Sequence, residues 1–172
     1  RGGFTHQAAE QVAGAGLPVL TALVDKSLVR HFSDGRLDLH EVLHHYARER
    51  LEENAALLAE VEKAHSGFYL HLLNTQQANL AGNQVKVAHA VLDVEFENLR
   101  QAWLTAVKMT PAAELIETFF TLVNYIETRG RQVEGAGLVS ALLPTLRQLL
   151  QARPQDDDLK LLLATSLVML GA

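Results

Sequence analysis

The chain has 172 residues, 48% of them hydrophobic and 20% charged, with a formal net charge of −5 and no cysteine. This composition excludes a disordered segment, a disulfide framework and any cysteine-ligated zinc or cysteine nucleophile. Residues 1–54 carry six Lys or Arg against eight Asp or Glu, and the remainder nine against twelve, so no region offers the basic stripe of a duplex-binding face.

Four prolines and 11 glycines among many Ala, Leu, Glu and Gln residues predict helices with punctuated turns. The longest apolar run, Leu159 to Leu170, is interrupted by Lys160, Thr165 and Ser166 and falls short of the roughly 20 residues of a membrane span. No signal-peptide pattern follows Arg1, and the chain stops at Gly171-Ala172 just past a helical stretch. We therefore expect a cytoplasmic segment of a longer protein.

In chain order, Thr5 is an N-cap candidate for a helix carrying Ala8, Ala9, Val12 and Ala13 and ending at Gly14. Pro18 suits the first turn of a second helix, in which Leu17, Leu20, Leu23, Val24 and Leu28 recur three or four apart. Residues 27–32 then alternate, Ser33-Asp34-Gly35-Arg36 supplies turn chemistry, and Leu37-Asp38-Leu39 alternates again, which predicts a small hairpin. A third helix opens at His40 or Glu41 with the apolar stripe Val42, Leu43, Tyr46, Ala47 and Leu51. Two helices, a hairpin and a further helix form the order of a winged helix without its first helix.

From Ala55 to about Leu80 the spacing stays helical, compatible with one long helix ended by Gly82-Asn83. Helical segments follow over Val85–Met109, Pro111–Thr128, Gly130–Ala152 and Asp156–Leu170, with short breaks between them. Their pairing gives about the 34–40 residue period of tetratricopeptide-like repeats. The expected fold is thus mainly α. A partial winged helix at 1–54 leads into a helical linker at 55–83 and tetratricopeptide-like antiparallel hairpins at 84–172.

Several of these stretches resemble one family. Arg1-Gly2-Gly3-Phe4-Thr5, Val24-Asp25-Lys26-Ser27-Leu28, Leu37-Asp38-Leu39-His40-Glu41-Val42-Leu43 and Tyr46-Ala47 look like the winged-helix part of bacterial STAND signalling ATPases. Glu97-Asn98-Leu99-Arg100-Gln101-Ala102 and Arg129-Gly130 with Glu134-Gly135 resemble the connecting and first repeat helices of the same proteins. The resemblance runs from residue 1 to about 135.

The resemblance implies a regulatory chain that relays nucleotide state to an effector such as transcription, with ATP or ADP and magnesium held by a P-loop module elsewhere in the intact protein. It implies that module of the same chain as a partner, together with a protein or small ligand on the helical repeats. The family's M-H-D element falls on Leu39-His40-Glu41, so the resemblance implies that His40 faces the β-phosphate of bound ADP. Leu39 replaces the methionine, and Glu41 replaces the aspartate with a longer carboxylate.

The same corner has a second reading. His40-Glu41-Val42-Leu43-His44 matches H-E-x-x-H, in which two histidines bind zinc and the glutamate activates a water. Glu60, Glu62 or His65 is then a candidate third ligand, although no metzincin continuation follows. A third reading makes the repeats a scaffold for a partner protein, with the winged part an inert cap. On the plainest account His40 caps the helix or packs on the hairpin, and His31, His44, His45, His65, His71 and His89 are surface or satisfied core residues.

Direct nucleic-acid contact is not expected, because the second helix offers only Lys26 against Asp25. The aromatic residues sit in apolar stripes, where core packing is the ordinary explanation, with Trp103 as an anchor of the first repeat pair. Asp156-Asp157-Asp158 lacks the spacing and glycine of a calcium loop, and complements a helix dipole instead.

Overall fold

The computed structural model describes residues 2–109 and 112–171, the side chains of 112–114 excepted. It is mainly α-helical with one two-stranded antiparallel sheet, and it divides into two compact units, Arg1–Phe68 and Tyr69–Ala172.

In the first unit, α1 (His6–Ala13) is capped by Thr5, whose hydroxyl accepts from the Ala8 amide at 3.1 Å, and it ends at Gly14 with φ of 63°. Both are the local signals expected there. The next helix, α2 (Leu17–Asp25), has Pro18 in its first turn and terminates through Ser27, which holds a φ of 58°. The Ser27 and Leu28 amides donate back to the Val24 and Leu23 carbonyls at 2.8 and 2.9 Å. This is the paired bonding of a Schellman ending, with serine where glycine is usual.

The hairpin of β1 (Val29–His31) and β2 (Leu37–Leu39) sets Val29 opposite Leu39 and His31 opposite Leu37. Phe4 adds a third, one-residue rung on β2, exchanging 2.8 Å backbone bonds with Leu37 in both directions. Gly3 permits that approach, because a Cβ there would stand 2.8 Å from the Leu37 carbonyl oxygen. Ala9, Leu20, Val29 and Leu37 form the buried core of this unit, with Phe4, Leu23, Val24 and Leu39 packed around it. The stripe of α3 (Glu41–Glu52) behaves differently. No residue of this helix is buried, and Val42 and Tyr46 are 70% and 55% exposed.

The helix expected over 55–80 is two helices. One, α4 (Ala55–Thr75), is opened by Asn54, which accepts from the Leu57 amide at 3.1 Å, and it runs through the division between the units. The chain breaks at Gln76 into α5 (Gln77–Ala81), which packs on later helices of the second unit. Likewise Val85–Met109 is interrupted at Glu95 into α6 (Val85–Val94) and α7 (Phe96–Met109). Neither break has a glycine or proline to announce it.

The rest of the second unit comprises α8 (Ala112–Arg129), α9 (Gln132–Ala152) and α10 (Asp157–Leu170). Each is joined to the next by a short connection; α9 packs on α7, α8 and most extensively on α10. Trp103, Phe119, Tyr125, Leu92, Leu99, Leu122, Ile126, Leu142 and Leu162 are among its fully buried side chains. Trp103 ties α7 to α9 by donating its indole N–H to the Leu138 carbonyl at 3.0 Å, which satisfies the polar end of a buried aromatic. Gly135 is buried at the α8–α9 approach, where a Cβ would meet Cγ2 of Ile126 at 2.5 Å. At the start of α10, Asp156 accepts from the Leu159 amide at 3.2 Å, with Asp157 and Asp158 in the first turn.

No helix among the described residues is long and apolar enough to cross a membrane.

Candidate functional site

The corner singled out by the sequence is where β2 hands over to α3. Leu39 pairs with Val29 and packs on the small core, so the strand is pinned one residue before the turn. His40 follows as the N-cap of α3, with φ of −57° and ψ of 140°, and is exposed. Its Nδ1 accepts from the Val42 amide at 3.4 Å, a long bond, and its carbonyl accepts from the His44 amide at 2.9 Å. A neutral imidazole that accepts on Nδ1 carries its proton on Nε2. His40 therefore offers an N–H donor at the positive end of a helix dipole, an arrangement suited to an anionic oxygen.

This placement bears on the zinc motif. Two histidines four apart share a helical face only when both are inside the helix, and His40 has the extended backbone of a cap. Among the described residues no group of three His, Asp or Glu comes together to hold a metal ion, so Glu60, Glu62 and His65 do not gather at this corner. His44 and His45 are exposed on α3. His89 has a polar neighbour that its spacing did not announce: its Nε2 lies 3.0 Å from the Thr128 hydroxyl.

A second constellation lies in the other unit. The Asp93 carboxylate at the end of α6 accepts from the Tyr125 hydroxyl at 2.8 Å and from Arg129 Nε at 2.7 Å, with Arg131 at 3.7 Å. Arg131 also pairs with Glu134 at 3.0 Å and lies 4.1 Å over the Phe96 ring. Partial burial pushes the Asp93 carboxyl up, but the bonds from Tyr125 and Arg129 and the charge of Arg131 outweigh it, and the net shift is below the ordinary value. Burial and then the bond to Asp93 push the Tyr125 hydroxyl well above its usual range. A carboxylate with both oxygens engaged and a phenol that strongly retains its proton are poor proton-transfer groups near neutrality. We assign the cluster to holding the α8–α9 corner on α6.

No family model, curated protein or solved structure matches the chain.

Proposed function

We propose that this chain is the regulatory and protein-interaction part of a nucleotide-switched STAND-type ATPase, and that it performs no catalysis itself. In this reading residues 1–54 form a partial winged helix, residues 55–83 a helical linker and residues 84–172 a set of tetratricopeptide-like hairpins. The observation that carries it is the position of His40, exposed at the junction of hairpin and helix with the Val42 amide on its Nδ1 and its Nε2 left to face outward partners. The Phe4 rung supports the winged-helix part, since it ties the segment before α1 to β2 and gives β2 a backbone partner on both sides. The unburied stripe of α3 suits a surface that docks on a nucleotide-binding module.

The mechanism follows from two states with different contacts. With ADP bound on the neighbouring module, His40 donates to a phosphate oxygen and holds the docked, inactive arrangement. Exchange for ATP with magnesium changes the phosphate geometry, releases the dock and frees the helical repeats for a protein or small ligand.

The test uses the full-length protein. His40→Ala removes one hydrogen bond to a charged group, worth about 1.5–3 kcal/mol, so ADP should dissociate roughly 10–100 times faster and basal activity should rise. His45→Ala, at an exposed position within α3, is the control that changes neither. Unchanged ADP retention together with unchanged basal activity in His40→Ala removes the sensing role.

A further inference from the structure

The 21 residues of α4 form one unbroken helix, but its two halves are held differently. In the C-terminal half Tyr69 and Leu73 are buried, and Asn74 donates to the Thr118 hydroxyl of α8 at 2.9 Å. Residues 55–65, by contrast, are all exposed or only partly buried. The division between the two compact units falls at Phe68–Tyr69, where one kind of holding gives way to the other.

Gly67 stands at that place. A glycine inside a helix weakens it, because a residue without Cβ gives up more backbone freedom on folding than any other. Close packing explains such a glycine at Gly135, which lies against Ile126. It does not explain Gly67, which is exposed and whose Cβ would find nothing within 4 Å among the described residues. The residue before it is Ser66, and a Gly/Ser pair is one of the few features at which helices bend sharply. A weak step with no packing reason, set where the anchoring of a long helix changes, has the make-up of a hinge. A few residues there absorb the change of direction while the segments on either side stay rigid.

We propose that α4 is jointed at Ser66-Gly67, its C-terminal half fixed to α8 and its N-terminal half able to change direction by opening of the turn that follows Gly67. A partner that favours one direction of the helix would select it from this set. The inference is independent of the nucleotide-switch reading, because it uses neither His40 nor a neighbouring module.

The experiment measures α4 in the whole chain. Because the protein has no cysteine, Glu60→Cys with Thr75→Cys places two spin labels on the exposed face of α4 and nowhere else. In a straight helix these two Cα atoms are about 22 Å apart, at a rise of about 1.5 Å per residue. Double electron–electron resonance should give that main distance together with a second population displaced from it by bending. Gly67→Ala should shrink the displaced population roughly two- to fivefold, which is the glycine penalty expressed as a ratio. It should also slow hydrogen exchange of the amides of residues 68–71 by about the same factor. Gly137→Ala is the matched control, since Gly137 is an exposed glycine inside α9 whose Cβ would also find nothing within 4 Å among the described residues. It should leave the displaced population and these amides unchanged. The proposal is overturned by a single narrow distance in the parent, by a displaced population that Gly67→Ala leaves at its size, or by an equal loss of it in Gly137→Ala. Slower exchange without a smaller displaced population is ordinary helix stabilisation and overturns it as well.

Discussion

Gly135→Ala tests how tightly α8 and α9 are set against each other. In an ordinary helix the change stabilises by about 0.5–1 kcal/mol, because glycine loses more backbone freedom on folding. Here the new Cβ would stand 2.5 Å from Cγ2, 3.0 Å from Cδ1 and 3.2 Å from Cγ1 of Ile126. That side chain is fully buried and branched at Cβ, so it has little freedom to turn aside and the helix itself has to move. Overpacking of this kind costs about 1–3 kcal/mol, so a mid-range cost of about 2 kcal/mol outweighs the propensity gain and leaves a net loss of about 1 kcal/mol. With a urea slope of about 2 kcal/mol/M, the midpoint falls by about 0.5 M. Trp103, buried and bonded to Leu138 on α9, supplies the fluorescence signal. The decisive comparison is the Ile126→Ala background, in which the obstructing atoms are gone and Gly135→Ala should stabilise by about 0.5–1 kcal/mol. An effect of the same sign and size in both backgrounds refutes the packing argument.

Two further predictions concern charge and caps. Because the folded Asp93 carboxyl titrates below its unfolded value, its contribution is fully present above the unfolded value and is lost as pH falls toward the depressed one. Acid unfolding followed by Trp103 fluorescence should therefore begin at higher pH in Tyr125→Phe, which removes one of the bonds that hold Asp93 ionised; an acid limb identical to that of the parent would separate Asp93 from this stability. In the first unit, Thr5→Ala should cost about 1 kcal/mol through loss of the cap on Ala8. Ser27→Gly should raise stability by about 0.5–1 kcal/mol by relieving a left-handed serine, both read as shifts in the thermal midpoint by circular dichroism.

What the sequence made legible is what neighbouring residues decide among themselves. Thr5, Gly14, Pro18, the Ser33–Arg36 turn and Asp156 act on backbone groups within a few positions, and each marks an element end close to where it was expected. The breaks at Gln76 and Glu95 were not visible, since packing determines them. Glu95 is buried and accepts from the Asn98 amide group at 2.7 Å, a pairing that no periodicity displays. The Asp93–Tyr125–Arg129 cluster was missed for a related reason. Asp93 lies more than 30 residues before Tyr125 and Arg129, and Tyr125 read as one more apolar position in a stripe, with nothing to show where its hydroxyl would find an acceptor. For α3 the pattern was present and its burial was not, because amphipathic spacing says which face is apolar and leaves open what covers it.

That helix has 12 residues and none of them is buried, and in water an uncovered helix of about 12–15 residues is marginal on its own. Its salt bridges, Arg48 to Glu52 and Arg50 to Glu53, run along its own exposed surface and add little. The amides of α3 should thus exchange with solvent through fraying, at free energies far below those of the strands beside it. A molecule that settles on Val42 and Tyr46 would slow that exchange and draw its ordering cost from the same equilibrium, so protection of these amides measures occupancy directly.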